Sequence, residues 1–319
     1  MTSNSIYHLK NLGLPALTSL DDFAHAMKLG PNTVRSLSIS SNSLYKTYNE
    51  PKKSGGFRVI AQPCRELKAV QAWILRNILD KLNSSPYSKG FEKGKSILDN
   101  AQPHAGASYL LSVDLENFFP SIKSYKVYGV FRSVGYNKEM CKLLTNLCTY
   151  YDSLPQGAPS SPKLANLTCS RLDARIHGYA GPKGITYTRY ADDITLSANT
   201  AIKIEKAKAF IGTIVHGEGL QINKSKTKIC GTKRQKKVTG LVLSGSNVGI
   251  GQKKYRELRS VLHHLFVGRN NEYSSINGWL AFTYSVDKKA YKQLSIVIEK
   301  LSKKYPKSDA IKHLHLIKS

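Results

Sequence analysis

The acids of Tyr190-Ala191-Asp192-Asp193, together with the distant Asp114, are the residues of this chain best placed by type and spacing to do chemistry. Carboxylates gathered at one point repel each other unless cations lie among them, and their hard oxygens favour Mg²⁺ or Mn²⁺. Two such ions side by side activate a hydroxyl and steady a triphosphate, which is the chemistry of nucleotidyl transfer. An Asp-Asp pair in a hairpin is also ordinary turn chemistry, since Asp tolerates turn conformations and caps its own backbone. The order and company of the surrounding residues separate the two readings.

The flanks place the acids at strand tips. Ile185-Thr186-Tyr187-Thr188-Arg189 precedes them and Ile194-Thr195-Leu196-Ser197 follows, both rich in β-branched or aromatic residues. Tyr109-Leu110-Leu111-Ser112-Val113 is a further apolar strand that ends in Asp114. If the two strands pair, Asp114 and Asp192 converge across one sheet edge. Asp114 then opens Asp-Leu-Glu-Asn-Phe-Phe-Pro, a turn toward a helix, and Phe119 lies where a bulky ring would exclude a ribose 2′-hydroxyl. Phe118 and Phe119 read equally well as core aromatics. Leu154-Pro155-Gln156-Gly157-Ala158-Pro159 makes an open loop before a helix-compatible stretch from Lys163 to Leu172, and Gln156 can reach an incoming nucleotide. Ile202 to Val215 reads as an amphipathic helix. Lys226, in Gly219 to Thr227, is the candidate to protonate a leaving pyrophosphate, although one lysine among so many is ordinarily a solvated charge.

Ahead of these motifs, the stretch to about Asn49 reads as short helices. Ser19 with Asp22 marks one start, and Asn32 after Gly30-Pro31 caps another. Tyr48 to Pro63 reads as a hairpin turning at Ser54-Gly55-Gly56, with Lys52, Lys53 and Arg58 nearby. Leu67, Val70, Ile74, Ile78 and Leu82 follow at helical spacing. Ser244-Gly245-Ser246-Asn247 lies near a boundary, beyond which Tyr255, Leu258, Leu262 and Leu265 line a helix face. From Ser246 onward, 14 Lys and Arg stand against 5 acids, so this tail reads as a basic helical module.

The 319 residues allow one large domain and a smaller one. A net charge of +27 attracts polyanions, which makes nucleic acid the leading partner. No apolar run is long enough to span a bilayer, and Met1-Thr2-Ser3-Asn4-Ser5 lacks the regions of a signal peptide. Cys64, Cys141, Cys148, Cys169 and Cys230 are odd in number and match no zinc spacing, so reduced structural thiols in a cytoplasmic protein are expected.

In order and over most of its length, the chain resembles the reverse transcriptases. Arg58 looks like the fingers arginine that grips the triphosphate, Asp114 like the first metal ligand, and Phe119 like the sugar gate. Leu154-Pro155-Gln156-Gly157 looks like the nucleotide-pocket loop, Tyr190-Ala191-Asp192-Asp193 like the metal-binding hairpin, and Lys226 like the mobile lysine. Asn100-Ala101-Gln102-Pro103-His104 and Val238-Thr239-Gly240 resemble two signatures of the bacterial retron branch. These imply RNA or primer positioning by Asn100, His104, Val238, Thr239 and Gly240. Short length without an endonuclease or maturation module also fits retrons better than group II intron proteins.

The resemblance implies an α+β right-hand polymerase: fingers and palm over residues 1–250, with an antiparallel palm sheet and flanking helices, and a C-terminal helical thumb over 251–319. It implies two Mg²⁺ ions (Mn²⁺ as substitute) held by Asp114 and Asp192, with Asp193 in support, and dNTPs as substrates. It further implies a cognate noncoding RNA as template and primer, synthesis from a guanosine 2′-hydroxyl, a branched multicopy single-stranded DNA product, and an effector or toxin partner in anti-phage defence. The rivals are an RNA-dependent RNA polymerase, an intron-type reverse transcriptase, and an RNA-binding antitoxin scaffold. The first usually carries glycine where Ala191 stands and lacks an aromatic gate.

Overall fold

Among the described residues the β-branched and aromatic runs build three antiparallel sheets, and the largest carries the acids. The structure, a computed structural model, describes residues 3–52 and 55–316. Strands β1 (Tyr45–Pro51) and β2 (Phe57–Pro63) form a two-stranded hairpin, in register from Tyr45 opposite Pro63 to Pro51 opposite Phe57. Lys53 and Ser54 of the expected turn lie outside the described residues.

Four strands, β3 (Tyr109–Glu116), β4 (Thr186–Tyr190), β5 (Asp193–Ala198) and β6 (Gln221–Cys230), make the central sheet in the order β4-β5-β3-β6. Having neighbours on both sides, β3 buries Leu110, Leu111, Val113 and Leu115. Helices Ser170–Ala180 and Ala201–Gly217 pack on this sheet. One core, from Leu9 to Leu220, joins them to helices Ser124–Ser133, Lys138–Cys148 and Ser161–Thr168.

A small sheet of β7 (Lys236–Val238), β8 (Leu241–Ser244) and β9 (Asn247–Gly249) precedes helices Gly251–Phe266, Tyr273–Val286 and Lys288–Lys304. A second core holds these helices together, and it includes Val238, Leu241 and Leu243 as well as Ala101 and Leu110. That packing unit therefore crosses residue 250. The loop Ser244-Gly245-Ser246-Asn247 is the tight β8–β9 turn, in which Ser244 pairs with Asn247 and Gly245 takes φ +56°.

Several local expectations shift by small amounts. Ser19 and Asp22 form a reciprocal capping box at helix Leu20–Met27. Gly30, rather than Asn32, is the cap of the next helix, because Pro31 takes its first position, where no N–H is needed. The short helical stretch ends at Leu44, since Tyr45 already belongs to β1. The helix carrying Leu67 ends at Asn77, and the stretch expected from Lys163 to Leu172 breaks at Cys169 into two helices. Among the described residues all five cysteines are free, and no helix is long and apolar enough to cross a membrane.

Candidate active site

Alternation along the strands sorts the central sheet into two faces. Leu111, Val113, Ile194 and Leu196 point to the helical core. Ser112, Asp114, Asp193 and Thr195 point the other way, with Ser112 opposite Thr195 and Asp114 directly opposite Asp193. β3 runs on to Glu116, so Asp114 sits inside the strand rather than ending it. Asp192 occupies the two-residue β4–β5 turn, and its carbonyl accepts the Leu115 N–H at 3.0 Å. The register thus brings Asp193, not Asp192, straight across from Asp114.

Like charges directly opposed in a ladder are unfavourable, and the acids record it. Crowding by protein, then Asp192 and Asp114, pushes Asp193 up to about 6 even though its side chain keeps an open face. Burial, then Asp114, raises Asp192, while Lys226 works against the rise. Lys226 Nζ lies 3.1 Å from Asp114 Oδ2. A break in the β3–β6 register between Ser112 and Asp114 marks where the ladder is irregular beside this lysine.

A cavity of about 370 Å³ opens on this polar face, with Asp114, Asp193, Lys226, Lys228, Thr239 and Gly240 in its lining. Val238 also reaches it from the end of β7. Thr239 and Gly240 take φ +45° and +87°, which is the two-residue turn that matches strand twist. The Thr239 hydroxyl donates to the Ile97 carbonyl at 3.2 Å and ties this turn to the segment before β3.

The acid-bearing turn is itself held from below. Ala191 adopts φ +56°, unusual for a residue with a Cβ. Its carbonyl accepts from Arg189 Nη1 at 3.1 Å, and the same nitrogen donates to Asn166 Oδ1 at 3.1 Å. The rest of the guanidinium grips Asp173 with two bonds of 2.8 Å, and the Tyr187 hydroxyl donates to Asp173 at 2.6 Å. Arg189, Asp173 and Asn166 are fully buried. Burial opposes the charge on Arg189, but its bonds to Asp173 outweigh that and keep it ionised. The pattern of acidic tips and β flanks did not reveal this network. Its one sequence signal is an arginine inside an otherwise strand-like run, two residues before Ala191.

The remaining sequence candidates divide. Arg58 is exposed on β2 and paired with Glu50 at 2.7 Å across the β1–β2 ladder. The Gln156 carbonyl accepts the Ala61 N–H at 2.9 Å, and a Cβ on Gly157 would stand 2.8 Å from the Ala61 carbonyl, so this loop lies tight against β2. Phe119 is half-buried beside Phe118, at 5.5 Å between ring centres, and Phe91, at 6.1 Å. Asn100 and His104, expected to position RNA or primer, are both fully buried. His104 bridges Thr188 of β4 at 2.8 Å and Ser197 of β5 at 2.7 Å, and burial lowers its pKa to about 4, which leaves it neutral. Any effect of these two on RNA passes through the sheet.

The donor set suits a divalent cation: two carboxylates face each other, a third sits beside them, and only lysines offset their charge. Among the described residues no three acids, histidines or cysteines converge closely enough to enclose an ion. Such an ion would draw further oxygens from substrate phosphates, as Mg²⁺ commonly does.

Residues 50–243 match the family model described as reverse transcriptase (RNA-dependent DNA polymerase). Retron Ec86 reverse transcriptase of Escherichia coli is 53% identical over 304 residues, covering 95% of each chain. The chain belongs to the retron reverse transcriptases. It is accordingly an RNA-directed DNA polymerase. A more distant member, retron Mx65 reverse transcriptase of Myxococcus xanthus, is 34% identical over 80% of this chain, which spans 65% of that relative. A solved telomerase from Candida albicans, in complex with a TWJ fragment of telomeric RNA, aligns with a TM-score of 0.52 at 13% identity. That alignment covers 86% of this retron enzyme and 57% of the telomerase chain, a likeness of fold. The fold is the α+β right-hand polymerase fold.

Proposed function

We propose that this reverse transcriptase copies part of a cognate structured noncoding RNA into multicopy single-stranded DNA, starting from a guanosine 2′-hydroxyl of that RNA. The observation that carries the catalytic part is Asp114 opposite Asp193, with Asp192 in the adjoining turn and Lys226 3.1 Å from Asp114. Asp114 and Asp192 would hold two Mg²⁺ ions (Mn²⁺ as substitute), with Asp193 in support. When bound, such ions lower the pKa of the attacking hydroxyl and neutralise charge on the triphosphate.

The chain's own side chains take the remaining tasks. Arg58 exchanges Glu50 for the triphosphate of a dNTP, and Gln156 faces the nucleotide. The Phe119 ring occupies the space a ribose 2′-hydroxyl would need. Lys226 leaves Asp114 and donates a proton to the departing pyrophosphate. Residues 1–250 act as fingers and palm, and the basic helices of 251–319 act as the thumb on RNA and its DNA product. Similarity to retron enzymes supports the branched product, a cytoplasmic location and a role in anti-phage defence with an effector protein.

The test is to express the gene with its native upstream sequence and examine cellular nucleic acid for a short DNA linked to RNA. RNase and debranching treatment probe the linkage. A branched DNA that vanishes in Asp192→Asn is the expected result. Primer extension by Asp192→Asn at the parent rate would refute the catalytic assignment. Absence of the DNA in the parent would refute the branched-product assignment and point to an intron-like polymerase or an RNA-binding scaffold.

A further inference from the structure

The segment from Lys89 to Glu92 lies between the acid-bearing turn and the sugar gate, and three of its four residues are anchored. The Lys89 N–H donates to the Arg189 carbonyl at 2.8 Å. Gly90 is pressed so closely on the turn that a Cβ would stand 2.7 Å from the Ala191 nitrogen, and its carbonyl accepts from Asn166 Nδ2 at 2.7 Å. The Glu92 carboxylate accepts from Asn166 Nδ2 and from Lys163 Nζ, both at 2.7 Å.

Phe91, between these anchors, is turned outward. It adopts φ +60°, a costly conformation for a bulky side chain, and leaves 46% of its surface exposed. A strained backbone that presents an apolar ring to solvent persists where its surroundings over-determine it. Here the ring meets Phe119, with 6.1 Å between centres and 45° between planes. Phe118, buried in the core, also meets Phe119, with 5.5 Å between centres and 61° between planes.

We infer that Phe91 is a specificity-determining residue, whose ring holds Phe119 against the deoxyribonucleotide and so helps to exclude ribonucleotides. The inference rests on the reading of Phe119 as the sugar gate. A gate excludes a hydroxyl only if its ring cannot swing away, and a half-buried phenylalanine has other staggered rotamers open to it. Contact with the Phe118 and Phe91 rings opposes such a swing. Because the anchors of Phe91 also brace Ala191, the gate and the acids keep a fixed relation.

The experiment compares dCTP and CTP incorporation on an RNA template with a DNA primer, in the parent, Phe91→Ala, Phe91→Tyr and Phe119→Val, and scores ribonucleotides by alkaline cleavage of the product. The ratio of kcat/KM for CTP to that for dCTP should rise about threefold to tenfold in Phe91→Ala, the scale of one aromatic contact. Phe91→Tyr, which keeps the ring, should restore the parent ratio. Equal loss for both nucleotides in Phe91→Ala, with a raised ratio in Phe119→Val, would overturn the role of Phe91 and leave the gate intact. An unchanged ratio in Phe119→Val would overturn the gate and the inference together.

Discussion

Replacing Asp173 with Asn leaves the Arg189 guanidinium fully buried without its counter-charge. The parent pair is held by two bonds of 2.8 Å, and the Tyr187 hydroxyl bonds to the same carboxylate at 2.6 Å. Breaking one side of a buried ion pair costs about 3–5 kcal/mol. Against a total stability of about 5–15 kcal/mol that is a large fraction. With an unfolding entropy of about 2.1 cal/mol/K per residue over 319 residues, it lowers Tm by roughly 4–8 °C. Asp173→Leu combined with Arg189→Met removes both charges and should recover most of that loss. The double variant should nonetheless polymerise at least about tenfold more slowly, because no Nη1 remains to hold the Ala191 carbonyl. Thermal unfolding and single-turnover primer extension on the same preparations give both readouts. A fall in Tm of less than about 2 °C for Asp173→Asn would refute the energetic reasoning. Parent-rate extension by the double variant would refute the bracing of the turn.

Other outcomes follow from the same geometry. His104 is neutral and held down to about 4 by burial, below its ordinary 6.5, so the unfolded chain protonates first as pH falls. Its stabilising contribution is full above about pH 6.5 and is lost between about 6.5 and 4, by up to about 3 kcal/mol. Denaturant titrations should show this slope in the parent and lose it in His104→Gln. Gly90→Ala places a methyl 2.7 Å from the Ala191 nitrogen and should slow extension about tenfold or more. Gly178→Ala, whose methyl meets open space in a helix, should extend normally. With a charge of +27, RNA affinity measured by filter binding should fall steeply between about 50 and 200 mM salt. A flat response would exclude phosphate contacts as the main source of affinity.

The acids, their β-patterned flanks and the basic helical tail were legible because each depends on residues close in sequence. Period-2 alternation predicts strands around Asp192 and Asp193 with no knowledge of what they pair with, whereas the tip expected at Asp114 lies inside β3, which runs on to Glu116. The capping box at Ser19 and Asp22 is local in the same way. The small errors arose where a neighbour intervened, as when Pro31 moved the cap to Gly30.

Register, by contrast, belongs to the fold. Which acid faces Asp114 depends on how β3 pairs with β5, and a shift of one residue would have turned the acids into the core. Arg189, read as a strand residue, became the brace of the turn only when Asp173 and Asn166 arrived from two separate helices. Asn100 and His104 carried a sequence signature, yet their burial under the sheet was set by packing. Phe91 shows the same division, since a phenylalanine after a glycine has no visible role until the chain places it beside Phe119. The sequence by itself determined the chemistry available, because side-chain type and local period suffice for that. Only the tertiary structure decided which groups meet, because distant segments are brought into contact by packing and pairing rather than by spacing along the chain.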